Sequence, residues 1–201
     1  EAFEAIPAHA HLGFGIVAMS LPDEPTGPEA PLTPLAARLI GAIDQPLVLV
    51  RKARNLNQKL PSAFGRALVP VAGGRSARAA QELAFGMASE LGTGIVLAHV
   101  VDRPRRLGRR GRDPSAQVDR LMAQASEHAA ELGVEPQTIV RRSTSPGATL
   151  VRLAGEVDAD LVVVGASART VDQHTFLGHT AEQVLEGCDA TVVVVVSPPE
   201  T

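Results

Sequence analysis

A chain of 201 residues that is 45% apolar and 20% charged can bury one full core and part of another, and a net charge of −3 gives no general pull toward nucleic acid. Five phenylalanines, with no tryptophan or tyrosine, leave the core to aliphatic side chains and remove the stacking surfaces that single-stranded nucleic acid needs, so no nucleic-acid partner is expected. One cysteine, Cys188, excludes an internal disulfide framework. No apolar run reaches the roughly 18–20 residues of a membrane span. No signal-peptide pattern precedes the first strand, so a cytoplasmic location is the expectation. The opening residue is Glu1 and not Met, which points to a longer parent chain.

Residues 1–12 place Phe3, Ile6 and Ala10 at helical spacing, and residues 15–19 (GIVAM) read as a strand. Residues 21–34 hold five prolines and must be loop until Thr33 and Pro34 open a helix by the cap-plus-proline rule. Leu47–Val50 is the next strand, and residues 51–65 are polar enough to be a linker. A strand over 67–71, a Gly73–Gly74 turn and a helix capped by Ser76 follow. That helix carries Ala80, Leu83, Ala84 and Met87 along its buried stripe. Residues 95–101 are a second strand and 102–112 a loop. A long helix from Pro114 or Ser115, a strand over 138–140 and a helix over 146–157 come next. The last segment reads as a strand from Leu161 that stops at Gly165, a glycine-bearing loop, a helix with Ala181, Val184, Leu185 and Cys188 inward, and the valine strand Thr191–Val196.

Strands of apolar runs alternating with helices indicate a parallel sheet covered on both faces. With right-handed crossovers, residues 66–201 are predicted to form a doubly wound, Rossmann-like α/β sandwich on a five-stranded, mainly parallel sheet. The front of the chain repeats the back. A gapless shift of 145 residues carries Leu32 onto Leu177, Ala36 onto Ala181 and Leu47–Val50 onto the valine strand. Residues 1–50 then read as the C-terminal half of a preceding, degenerate copy. The last strand, Thr191–Val196, is predicted to be an edge strand, and a flat valine edge is normally paired. Its partner is predicted to be a second chain, as a homodimer, or Leu47–Val50, as a pseudo-dimer.

The spacing of the final loop makes the pattern specific. Gly165, two residues, Ala168, nine residues, Gly178 and then His179 resembles the motif of nucleotide-binding members of the universal stress protein family, which carry Gly at the first three places and Ser or Thr at the fourth. The resemblance covers residues 66–197 in element order and length. The opening LVPVAGG resembles the family's first strand, with Ala72, followed by Gly73, where a ligand-contacting Asp commonly stands. The resemblance thus implies a nucleotide or anion site at Ala72, Gly73, Gly165, Ala168, Gly178, His179, Thr180 and Arg169, with Thr180 offering a replacement hydroxyl. The ligand it implies is ATP, AMP or a cyclic dinucleotide. It further implies a non-catalytic regulatory or sensory domain. Tandem degenerate copies of this kind form the soluble tails of membrane transporters (cation/proton antiporters, amino-acid permeases, cation–chloride cotransporters), whose membrane domain would be the partner. The alternative is a free tandem universal stress protein that binds an adenine nucleotide.

Arg103, Arg105, Arg106, Arg109, Arg110 and Arg112 crowd the loop after the second strand of the complete unit. Arg75, Arg141, Arg142 and Arg169 follow other strands at the same sheet edge. This run is either a solvated loop or an anion site for a nucleotide, a cyclic dinucleotide or anionic lipid head groups. His174 and His179 lack the neighbours of a metal site, and His99 inside a strand reads as a packed histidine. With no Ser/His/Asp arrangement in view, no enzyme activity is expected.

Overall fold

Runs of β-branched residues become the strands of this protein, and the 3.6-periodic stretches between them become its helices. The computed structural model describes residues 5–7, 10, 15–22, 32–54, 62–102, 115–171 and 174–197. In chain order these give β1 (Val17–Ser20), α1 (Pro34–Ile40), β2 (Leu47–Arg51), β3 (Arg66–Pro70), α2 (Arg75–Leu91), β4 (Gly94–Asp102), α3 (Ser115–Glu131), β5 (Gln137–Ser143), α4 (Pro146–Glu156), β6 (Leu161–Ser167), β7 (Arg169–Val171), β8 (His174–Phe176), α5 (His179–Gly187) and β9 (Thr191–Ser197). One sheet holds seven strands in the order β1-β2-β9-β6-β3-β4-β5, and β7 pairs with β8 apart from it. Within the large sheet only β2 and β9 run antiparallel.

Alternate residues of the strands feed two cores. Val162, Val164, Val192, Val194 and Val196 pack under α1, α4 and α5 through Ala36, Leu39, Leu150, Leu153, Val184 and Leu185. The intervening Leu161, Val163, Val193 and Val195 face α2 and α3, against Ala80, Ala84, Phe85, Met122 and Ala129. A strand buried on both faces must be apolar throughout, which is why β9 reads TVVVVVS and is buried along its whole length.

The 145-residue shift seen in the sequence holds in the strand registers. Val17 lies opposite Leu47 as Val162 lies opposite Val192, and Ser20 lies opposite Val50 as Gly165 lies opposite Val195. Across the antiparallel seam, Leu47 faces Val196, Leu49 faces Val194 and Arg51 faces Val192. Leu49 and Val194, which are equivalent under the shift, face each other at the centre of an approximate two-fold. Arg51 locks this seam. Its buried guanidinium donates to the carbonyls of Cys188 (2.6 Å) and Ala190 (3.1 Å) just past α5, and to Lys52 O (2.6 Å).

Several local expectations are corrected. β9 ends the complete unit's own strands but not the sheet: β6 lies on one side and β2 pairs on the other, which is the Leu47–Val50 partner named among the two expected. β6 does not stop at Gly165 but runs on to Ser167, because a glycine within a parallel strand leaves the ladder intact. The loop expected between Gly165 and Gly178 contains the antiparallel β7–β8 pair. Ser76 is not the cap of α2. Gly74 is, at φ 124°, a conformation that glycine alone adopts readily, and Ser76 lies inside the first turn. Arg51, assigned to the linker, ends β2. The arginine run Arg103–Arg112, most of the helix expected over 1–12 and residues 55–61 of the linker lie outside the described residues.

Candidate functional site

From β3 the chain winds outward through β4 to β5, then returns to the other side of β3 with β6 and β9. The strand order therefore reverses between β3 and β6. In open α/β sheets the crevice at the carboxyl ends of two such strands is where ligands bind. Here the walls are the turn after β3, with Ala72 and Gly73 exposed, and the end of β6 at Ser167 and Ala168.

Two glycines draw the helix starts into this crevice. A Cβ on Gly165 would lie 2.2 Å from Ser76 O and 2.6 Å from Ala77 N, so the bare backbone of β6 lets the first turn of α2 sit directly on it. A Cβ on Gly147 would lie 2.4 Å from Gln183 Oε1 and 3.1 Å from Thr180 O, so α4 and α5 cross equally closely. The Oγ atoms of Ser76 and Ser167 are 3.1 Å apart and tie α2 to the end of β6. His99 Nδ1 lies 2.7 Å from the carbonyl of Val71 at the end of β3. A carbonyl only accepts, so Nδ1 is the donor in this contact.

The residues singled out in the sequence divide between these walls. Gly178 is the N-cap of α5 at φ 95°, and no side-chain hydrogen bond closes that helix start. His179 is the first residue of α5, and its ring meets Phe176 edge-on at 4.9 Å between centroids. The Arg169 guanidinium lies over the other part of that stack, 4.9 Å from the Phe176 centroid. Thr180 is half-buried, and Ala168 packs against the core under α4 and α5. Gly165, Ala168, Gly178, His179, Thr180 and Arg169 thus belong to one side of the crevice, with Ala72 and Gly73 on the other. The cleft of about 240 Å³ that touches Ala72 and Gly73 opens away from Gly165 and Gly178. It runs between α2 and α3, past Arg78, Gln81, Gln124 and His128. Phe176, Ser76 and Ser167 were not among the expected residues. Only the convergence of separate elements reveals them.

The chemistry is that of an anion or polar-ligand cradle. Two helices start at the crevice on glycines without side-chain caps, so free backbone N–H groups and the positive ends of two helix dipoles meet there. At α5 the Glu182 carboxylate sits in the first turn and accepts from Leu177 N at 3.0 Å, which partly offsets that positive end. Cys188, at the far end of α5, is buried, and burial pushes its thiol above its ordinary pKa, which favours the neutral form. Among the described residues, no cluster of three or more His, Cys, Asp or Glu is placed to hold a metal ion.

The family model described as "universal stress protein family" matches residues 63–196. Among solved structures, a universal stress protein from Archaeoglobus fulgidus DSM 4304 is 17% identical, covers 96% of this chain and 66% of its own, and superposes with a TM-score of 0.66. A universal stress protein in complex with cAMP is 21% identical, over 66% of this chain and 97% of that one, at a TM-score of 0.53. The Archaeoglobus fulgidus universal stress protein in complex with dAMP is 18% identical, over 65% and 96%, at 0.52. At these identities the structural likeness establishes the fold.

Proposed function

The chain belongs to the universal stress protein family, and from that premise we propose that it is a non-catalytic sensory module that takes an adenine mononucleotide into the crevice between β3 and β6. The observation that carries this reading is the open start of α5: Gly178 leaves the helix N–H groups uncapped at the point where the strand order reverses. The complexes of similar proteins with cAMP and dAMP support the ligand class. Two features favour a single phosphate over Mg-ATP. Ala72 offers no carboxylate to a metal or to ribose hydroxyls, and Glu182 repels further negative charge at the same helix start.

The same proposal takes residues 1–50 as the back half of a preceding copy, with residues 51–65 as linker and 66–201 as the complete domain. The matching registers of β1–β2 and β6–β9 support it. Pairing of β2 with β9 then stands in for a dimer contact within one chain. Attachment to a transporter rests on resemblance alone, and no helix among the described residues is long and apolar enough to cross a membrane.

Calorimetric titration with AMP, cAMP and ATP, with and without Mg²⁺, tests the reading. AMP or cAMP should bind with submillimolar affinity and ATP more weakly, and Gly178→Asp should abolish binding while the protein stays folded. Absence of any adenine nucleotide binding at millimolar concentration, or unchanged affinity in Gly178→Asp, would overturn it.

A further inference from the structure

On the opposite flank of α2, a pocket of about 520 Å³ is lined by Gly74, Arg75, Arg78, Ala79, Ser197 and Pro46, with Glu82 one turn beyond Arg78. It shares the start of α2 with the crevice but lies toward the β9 side, at Ser197, and none of its residues belongs to the Gly165–Gly178 spacing. Four features of this pocket are each unfavourable in the protein alone. The start of α2 has no side-chain cap, so its first N–H groups lack partners from a side chain. Arg75 and Arg78 put two positive charges at the positive end of the helix dipole, with no acidic residue in that first turn. Among the described residues, neither guanidinium makes a hydrogen bond or ion pair. The fourth feature is Ser197, which is only 8% exposed, and its Oγ has no hydrogen-bond partner. Ser197 stands beside Ser167 in register on adjacent strands, and Ser167 is already engaged with Ser76. One hydroxyl of the three is therefore left over, buried on a residue that lines the pocket.

A single anion relieves all four. It accepts from the free N–H groups, from the Ser197 hydroxyl and from both guanidinium groups, and it neutralises the charge at the helix start. We propose that this pocket is a binding site for a phosphoryl group, as free phosphate or as the head of a phosphorylated small molecule. The volume exceeds that of the ion, and Glu82 on the far wall offers an acceptor to hydroxyl donors on the remainder of such a molecule.

The test is calorimetry and thermal unfolding in phosphate-free buffer, with inorganic phosphate and glycerol 3-phosphate as probes. Either probe should bind and raise the melting temperature, and Ser197→Ala, Arg75→Ala and Arg78→Ala should each weaken binding by about 10-fold or more. Without probe, Ser197→Ala should melt no lower than the parent, since it removes an unsatisfied hydroxyl. Tighter binding of glycerol 3-phosphate identifies a phosphorylated small molecule, and equal binding identifies the free ion. Gly178→Asp should leave this binding intact even where it abolishes nucleotide binding. No binding of either probe, equal binding in the three variants, or loss in Gly178→Asp would overturn the proposal.

Discussion

Gly165→Ala separates two reasons for a glycine that the motif spacing leaves entangled. If Gly165 exists to let a ligand phosphate approach the backbone, alanine should weaken binding and leave the fold alone. The structure gives another reason. The new Cβ would lie 2.2 Å from Ser76 O, 2.3 Å from Ser76 C and 2.6 Å from Ala77 N, where ordinary contact begins at 3.4 Å. All three atoms are backbone, so no rotamer change relieves the clash. The first turn of α2 must lift from β6 by about 1 Å, which loosens the packing of Ala80, Ala84 and Phe85 behind it. Overpacking of this kind costs about 2–3 kcal/mol, or about 5–10 °C in melting temperature for a chain of this size. Urea unfolding followed by circular dichroism measures it directly. Two controls sharpen the result. At Gly73 a Cβ meets nothing within 4 Å, so Gly73→Ala should change stability by less than about 0.5 kcal/mol. Gly178 also has open space but sits at φ 95°, so Gly178→Ala should cost about 1–2 kcal/mol through backbone strain alone. A Gly165→Ala protein that unfolds with the parent while losing nucleotide would refute the packing argument.

Two further outcomes follow from buried groups. Arg51→Met removes the donors to Cys188 O and Ala190 O and should cost about 3 kcal/mol in urea unfolding; a loss below about 1 kcal/mol would mean that the seam between β2 and β9 is held by strand pairing alone. Cys188 should resist alkylation in the native protein and react at once in urea. Because burial raises its folded pKa, its contribution to stability is complete below the ordinary thiol range and is lost as pH rises through the folded value; stability that is unchanged, relative to Cys188→Ala, across alkaline pH would contradict this.

The strands and most helices were legible because each carries a strong local signal: β-branched runs for β2, β6 and β9, and a cap-plus-proline start for α1. The 145-residue correspondence was legible because its shift has no gaps, and the registers of β1–β2 and β6–β9 follow it. The β7–β8 pair was not, since residues 169–176 (RTVDQHTF) offer neither a glycine nor a proline turn and alternate too briefly to announce a strand. The cap of α2 was misread because Gly74 and Ser76 both fit the start of a helix. The choice depended on the tight exit from β3, which demands positive φ. What pairs beside β9 was left open between a second chain and Leu47–Val50, because a valine run signals pairing but not its partner; within the chain it is Leu47–Val50 that pairs there. The site divides the same way. Its spacing, Gly165 to Ala168 to Gly178, is a linear signal. The meeting of Ser76, Ser167 and Ser197 arises only when α2, β6 and β9 come together.

The molecule carries its own comparison for the open helix start. Under the 145-residue shift Thr33 falls on Gly178, and both are N-caps. The surroundings match: Leu32 and Leu177 are both buried just before the helix, and Ala36 and Ala181 are both buried in its first turn. Yet α1 is closed, with Thr33 Oγ1 accepting from Ala36 N at 3.1 Å and Pro34 contributing no N–H to be satisfied. The fold therefore accommodates a side-chain-capped helix in this place, and Gly178 forgoes only about a few tenths of a kcal/mol relative to a Thr cap. The two places differ in what stands beside them. β6 has β3 as its neighbour and so borders the crevice, whereas β1 has no strand on its far side among the described residues and borders none. The helix start is open where the sheet makes a crevice and closed where it does not. The two caps also differ in backbone: Thr33 is extended at φ −68°, whereas Gly178 holds φ 95°, a conformation that keeps glycine there whether or not a ligand is bound, and the open start that results is the one the proposed ligand would use.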